Sequence, residues 1–256
     1  MNKKFIFFDI DGTLTIKETG EILPSVRRTI KKLQENHIVA IASGRAYYKV
    51  KAVVEDLRIS YVVANGGAAL AIDGKLVGNY PLDRDKAIAL LKQADELNLG
   101  WLVAYEDSIS VVMRDTLFIE QAGFRQEPTR YYYRPELKID DLKEIYKVYI
   151  ALSRQQEALL SERKNIGYIR FADPYLIFQN DAKDLGIKRM VEMLGGSDED
   201  VFVFGDDYND MVMFRDEWTC IAMGNGCDAL KEKATFVTRK NSEDGIEYAC
   251  QHYNLI

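Results

Sequence analysis

The sequence predicts an α/β protein: a doubly wound, Rossmann-like parallel sheet interrupted by an inserted α+β domain. Three observations carry this. Short all-apolar runs recur near the start of the chain and again after Asp181, each stopping at a polar loop. The first connections between these runs have helical spacing, as a parallel sheet with covered faces requires. In the middle of the chain strand-like runs are instead neighbours, the pattern of an antiparallel sheet with helices packed on it.

The elements follow in order. Phe5 to Phe8 is wholly apolar and reads as a strand buried on both faces, ending at Asp9-Ile10-Asp11-Gly12-Thr13. A helix is expected over about 25–35, with Val26, Ile30 and Leu33 on one face and Pro24 near its start. Val39 to Ala42 is a second buried strand, ending at Ser43-Gly44-Arg45, and a helix follows to about Leu57. Tyr61 to Ala64 is a third strand, ending at Asn65-Gly66-Gly67. Residues 68–79 read as a hairpin around Asp73-Gly74. Residues 83–97 form an amphipathic helix. Beyond it, 101–105, 109–113, 148–152, 168–171 and 175–178 look like strands, and 140–146 and 154–162 look helical. After Asp181 the first pattern returns: a helix over about 184–194 stopped by Gly195-Gly196, then strands at 201–204, 219–222 and 236–238, and a closing helix near 244–253. The expected division is a core of 1–81 with 181–256 and an inserted domain of 82–180.

Composition narrows the class. Apolar residues make up 47 % and charged residues 29 % of 256, enough for a sizeable core. A net charge of −6 with no long basic run argues against nucleic acid and anionic membrane as partners. Three cysteines without a CxxC pair suit a reducing compartment. The start Met1-Asn2-Lys3-Lys4 resembles a signal n-region, but the apolar run after it ends at Asp9, too short for the rest of a signal. The expectation is a cytoplasmic protein, monomer or homodimer, that binds any anion through a local site.

Asp9 and Asp11 lie two apart at the end of an apolar strand, where side chains at i and i+2 share a face. Two carboxylates 4 Å apart repel by about 4 kcal/mol at an effective dielectric of 20. A metal cation, a lysine or a raised pKa must relieve that. Gly205-Asp206-Asp207-Tyr208-Asn209-Asp210 also ends an apolar strand, and a parallel sheet puts it on the same edge as Asp9. Several carboxylates converging there form a hard oxygen site suited to Mg²⁺. Lys183, opening the helix before the 201–204 strand, is the natural cation; Ser43, with the backbone at Gly44, offers a hydroxyl and an N–H to an anion.

These residues resemble the four motifs of the haloacid dehalogenase superfamily. Asp9-Ile10-Asp11-Gly12-Thr13 is similar to the first, Ser43 in Ala42-Ser43-Gly44-Arg45 to the second, Lys183 to the third, and 205–210 to the fourth. Asn65-Gly66-Gly67, Ala222-Met223-Gly224-Asn225 and Glu243-Asp244-Gly245 resemble the smaller signatures of the Cof-type phosphatases (subclass IIB), which carry a large α/β cap between the second and third motifs. The match covers about 1–81 and 181–256; the middle agrees in size and position alone. Two departures are Gly67, where alanine is usual, and Asp184, where glycine is usual, which sets a negative charge beside Lys183.

Combined with the residues, the resemblance implies Mg²⁺-dependent hydrolysis of a small phosphate monoester, such as a sugar phosphate or related metabolite. Asp9 is then the nucleophile that forms an aspartyl-phosphate, and Asp11 the general acid and base, its pKa raised by burial and neighbouring charge. Metal ligands come from the Asp9 carboxylate, the Asp11 carbonyl and Asp206, with Asp210 holding a ligand water or Lys183. Ser43, Gly44, Lys183 and Asn209 bind phosphate oxygens. A phosphomutase on the same core, or a non-catalytic sensor of a phosphorylated metabolite, are the alternative readings. The inserted domain is expected to close over the site and choose the leaving group. Arg130-Tyr131-Tyr132-Tyr133-Arg134 reads as a strand or subunit contact before it reads as a sugar-contacting loop. Arg114 and Arg170 could reach a substrate, whereas Trp101, Trp218 and the cysteines read as packing residues.

Overall fold

The structure, a computed structural model, describes residues 3–256, the side chains of 171 and 172 excepted; Met1 and Asn2 of the amino-terminal segment lie outside the described residues. The chain divides into two compact units, one of 1–79 with 181–256 and one of 80–180. In chain order the first unit opens with β1 (Phe5–Phe8), α1 (Pro24–Asn36), β2 (Ile38–Ala42), α2 (Tyr47–Leu57), β3 (Tyr61–Ala64), β4 (Ala69–Ile72) and β5 (Lys75–Asn79). The second unit carries α3 (Arg84–Glu96), β6 (Trp101–Ala104), β7 (Ser110–Met113), α4 (Leu117–Ala122), β8 (Arg130–Tyr133), β9 (Lys147–Ala151), β10 (Tyr168–Ala172) and β11 (Tyr175–Phe178). The first unit resumes with α5 (Lys183–Met193), β12 (Val201–Gly205), β13 (Thr219–Ala222), α6 (Asp228–Lys233), β14 (Phe236–Val237) and α7 (Gly245–His252).

The first unit is built on one eight-stranded sheet, ordered β14-β13-β12-β1-β2-β3-β4-β5. Its strands run parallel from β14 to β3, and β4 and β5 add an antiparallel hairpin turned by Asp73 and Gly74, both at positive φ. Alternate residues of β1 serve the two faces. Ile6 and Phe8 pack with Val26, Ile30, Leu33 and Ile246 of α1 and α7; Phe5 and Phe7 pack with Ile187, Met190 and Val191 of α5. Burial on both sides is why these strands are continuous apolar runs. Strand β1 sits centrally, between β12 and β2, with Phe8 beside both Phe204 and Ile41. The residues after all three strands therefore share one edge.

The second unit is a six-stranded sheet ordered β10-β11-β9-β6-β7-β8, antiparallel except for the parallel β7–β8 pair. α3 covers one face with Leu90, Leu91 and Ala94 against Trp101, Val148 and Phe178. Phe118 of α4 packs on the other face with Leu102, Tyr149 and Tyr175. Asp83 caps α3, accepting from the Lys86 N–H at 3.1 Å.

Local expectations differ from the structure mostly in this unit. The helix expected over 140–146 reduces to one 3-10 turn at Ile139–Asp141. Beyond it the backbone bonds outward: the Ile145 carbonyl accepts from Leu82 and the Tyr146 N–H donates to Ala104, so no helical ladder closes. The helix expected over 154–162 is a pair of tighter 3-10 turns, Arg154–Leu159 and Ser161–Asn165. Six-residue α4 is too short for periodicity to reveal. Among the described residues no helix is long and apolar enough to cross a membrane.

Candidate active site

At the carboxyl edge of the parallel sheet, the Asp9 N–H donates to the Phe204 carbonyl at 3.0 Å, stitching the end of β1 to β12. Asp9, Asp206 and Asp210 are all buried, and each offers an oxygen within 4.8 Å of those of the other two. Lys183, 1 % exposed, donates from Nζ to Asp9 Oδ1 at 2.8 Å and to Asp210 Oδ1 at 2.6 Å. Asp210 Oδ2 accepts two further bonds, from the backbone N–H groups of Asp206 (2.9 Å) and Asp207 (3.1 Å). Three hydrogen bonds thus organise Asp210, whereas the second oxygen of Asp9 accepts none among the described residues.

Two of the three clustered carboxylates share one ammonium, and the titration of the group reflects this. Burial, reinforced by Asp210, pushes Asp9 up to about 8 against the pull of Lys183. Burial and Asp210 likewise push Asp206 up to about 7, although Thr13 donates to its Oδ1 at 3.2 Å. Burial alone would lower Lys183, but Asp210 and Asp9 reverse that and hold it protonated. Negative charge is in excess here, and the donors are hard oxygens. That donor set fits a divalent cation of the Mg²⁺ class.

Close backbone approach builds the site. Gly12, at φ +85°, lies so near Asp206 that an added Cβ would stand 2.1 Å from Oδ2. The Asn225 side chain donates to the Gly12 carbonyl at 2.8 Å and accepts from the Asn241 N–H at 2.8 Å, and Asn241 in turn donates to the Thr15 carbonyl at 3.0 Å. Two asparagines from distant loops thereby pin the turn after β1. Gly67, at φ +96°, abuts the Ala182 carbonyl, 1.9 Å from where a Cβ would stand. The Ala182 N–H donates to the Gly66 carbonyl at 2.8 Å, so this contact delivers Lys183 to the site. The departure from alanine at 67 has a steric reason in this chain. The charge of Asp184 is met by Arg215 at 2.8 Å.

Asp11 is placed differently from the expectation. The regular strand ends at Phe8 and the chain turns at Gly12, so the shared-face rule does not carry Asp11 alongside Asp9. The side chain of Asp11 is 47 % exposed rather than buried, and its carboxylate is gripped by Arg45, with Nε 2.9 Å from Oδ2 and Nη2 on Oδ1. It stands outside the cluster of Asp9, Asp206 and Asp210. Ser43 is buried at the end of β2; its N–H is used by the Val63 carbonyl (2.8 Å) and its Oγ accepts from the Arg45 N–H (3.2 Å). Gly44 follows it in the same loop, half-buried, and Asn209 is half-buried on the 3-10 turn Tyr208–Met213. Sequence reasoning passed over Thr13, Asn225, Asn241 and Arg45 as working parts; the Ser-Gly-Arg and Gly-Asn-Gly stretches were the available signal.

In the second unit, Arg114 bonds both oxygens of Asp95 (2.8 and 2.9 Å), and Arg170 bonds Glu157 (2.7 Å) and the Leu152 carbonyl (2.8 Å). Both are held within that unit. Trp101, Trp218, Cys220 and Cys250 are buried, and burial pushes both of those thiols up to about 12.

The sequence pattern of the haloacid dehalogenase-like hydrolases matches residues 6–249. The chain belongs to this family. A Bacillus subtilis (strain 168) protein named as a phosphatase, YkrA, is 33 % identical over 263 residues covering 100 % of both chains. A Streptococcus pyogenes protein named for phosphatase and peptidyl-prolyl isomerase activities is 32 % identical over 99 % of this chain, which spans 54 % of that protein's length. Among solved structures, a subclass IIB sugar phosphatase of the haloacid dehalogenase superfamily superposes with a TM-score of 0.78 at 22 % identity, covering 99 % of this chain and 100 % of that one. That likeness establishes the fold. The family and the relatives make this haloacid dehalogenase-like hydrolase a phosphoric monoester hydrolase.

Proposed function

We propose that the protein hydrolyses small phosphate monoesters, such as sugar phosphates or related metabolites, in the cytoplasm, with Mg²⁺ bound and through an aspartyl-phosphate. One observation carries the reading: three buried carboxylates cluster at the sheet edge, a buried lysine bonds two of them, and one of those two, Asp9, keeps an oxygen that accepts no hydrogen bond among the described residues. Asp9 and Asp206 would hold the cation, with a smaller share from Asp210, whose oxygens already accept three bonds. When bound, Mg²⁺ neutralises the carboxylates and shields the approach of one anion to another.

The protein's own groups do the rest. The Asp9 oxygen attacks phosphorus while the ester P–O bond breaks, and Asp11 gives the leaving alkoxide its proton. Lys183, together with Ser43, Gly44 and Asn209, binds the phosphoryl oxygens as charge moves onto them. In the second half, water attacks phosphorus, Asp11 accepts its proton, and the Asp9 carboxylate is regenerated. Asn225 and Asn241 hold the loop that carries Asp9 and Asp11.

The test is phosphate release from a panel of phosphorylated metabolites, with Mg²⁺ and with excess chelator. Turnover that requires Mg²⁺ and ends in free phosphate supports the reading. Metal-independent turnover, or isomerised sugar with no free phosphate, overturns it.

A further inference from the structure

Arg45 takes no part in the steps above, although it grips the Asp11 carboxylate with two hydrogen bonds. Its backbone is fixed at both ends: the N–H donates to Ser43 Oγ at 3.2 Å, and the carbonyl accepts from the Asn65 N–H at 2.7 Å. From that anchored segment the guanidinium reaches both oxygens of Asp11. Two parallel bonds from a planar fork set the plane of a carboxylate as well as its distance. The side chains are 39 % and 47 % exposed, and pairs this open to water add little to folding stability. Orientation is what such a pair can supply. A carboxylate gripped in this way keeps a second lone pair on each oxygen.

We propose that Arg45 is a positioning residue for the hydrolytic half of the reaction. It holds the Asp11 carboxylate so that a remaining lone pair receives the proton of the attacking water. The inference rests on the phosphoenzyme reading above. In this step the water oxygen bonds to phosphorus and the bond from phosphorus to the Asp9 oxygen breaks. The electron pair of that bond returns to Asp9, the water proton passes to Asp11 and on to solvent, and inorganic phosphate leaves. Lysine at position 45 would keep the charge and lose the fork.

Rapid-mixing kinetics with p-nitrophenyl phosphate on the Mg²⁺-loaded full chain tests this, with acid-quench trapping of the phosphoenzyme. The p-nitrophenolate leaving group needs little protonation, so the first half-reaction proceeds without Asp11. Arg45→Lys and Arg45→Ala are expected to release a burst approaching one p-nitrophenol per chain. Steady turnover then slows roughly 10- to 100-fold, while trapped phosphoenzyme accumulates. A structural role for Arg45 would slow both phases alike, and that result, or wild-type kinetics, overturns the proposal. Arg45→Lys serves if Arg45→Ala does not fold. Asp9→Asn is the separate control: labelling of that variant equal to wild type sinks the phosphoenzyme reading itself. An unlabelled Asp9→Asn beside Arg45 variants without a burst sinks the Arg45 role alone.

Discussion

The two units treat buried charge in opposite ways. In residues 80–180 each buried cation has its own carboxylate: Arg125 bonds Glu127 at 2.7 Å and stacks over Tyr149, and Arg170 bonds Glu157 at 2.7 Å. At the sheet edge of the first unit Asp9, Asp206 and Asp210 lie together, and the buried Lys183 pairs with two of them, Asp9 and Asp210. Desolvating charge is costly unless it is paired, so a scaffold balances its ions. A surplus of one sign at a strand-end crevice signals a further cation and chemistry.

The largest effect is expected at Asp9. Asp9→Asn is expected to lower kcat by about 10⁴-fold or more while the thermal transition survives, because the nucleophile is lost and the fold is not. Steady-state rates beside a melting curve check this; a variant with near-normal rates would make the first unit's acids a scaffold like the second's. Lys183→Met comes next. Removing the ammonium leaves Asp9 buried without its cation and Asp210 with its two backbone N–H bonds alone, at an expected cost of about 3–5 kcal/mol in denaturant unfolding. A cost under about 1 kcal/mol would mean that the pair is not the anchor its burial implies.

Metal binding sharpens the contrast through its pH dependence. Asp9 and Asp206 hold protons in the folded state up to about 8 and about 7, well above ordinary carboxylates. Between the ordinary carboxylate range and those values the folded protein binds more protons than the unfolded chain, so without a cation stability falls as pH rises from about 4 to about 8. Mg²⁺ competes with those protons. At a Mg²⁺ concentration a hundredfold above the Kd at pH 8, the melting temperature should rise by about 5 °C at pH 8, and the same concentration should raise it by much less at pH 5. Equal shifts at both pH values would contradict this. The smallest effect is expected in the second unit. Arg114→Ala removes a partly exposed partner of Asp95 and should cost about 0.5–1 kcal/mol with kcat/KM unchanged. A change in kcat/KM would show that this region acts on substrate.

Legibility in the sequence followed the physics of burial. β1, β2, β3 and β12 were readable within a residue or two because strands buried on both faces must be unbroken apolar runs. Once those strands are parallel, Asp9 and Asp206 must share an edge. The second unit was less readable: α4 has six residues, and 139–146 spends its backbone bonds on β6 and on the chain before α3. Its sheet also mixes antiparallel pairs with the parallel β7–β8 pair, which no local pattern distinguishes.

Asp11 shows the boundary most clearly. From the sequence alone it is the twin of Asp9, two residues away on the same strand. Local composition determined the apolar runs, the helical faces and the polar loops that follow them, because those depend on residues a few positions apart. Tertiary structure decided the partners: the turn at Gly12 sends Asp11 to Arg45, while Asp9 meets Lys183 across 174 positions of chain. A carboxylate's neighbours are set by which distant backbones pack against its loop, and no local pattern of residues encodes that choice.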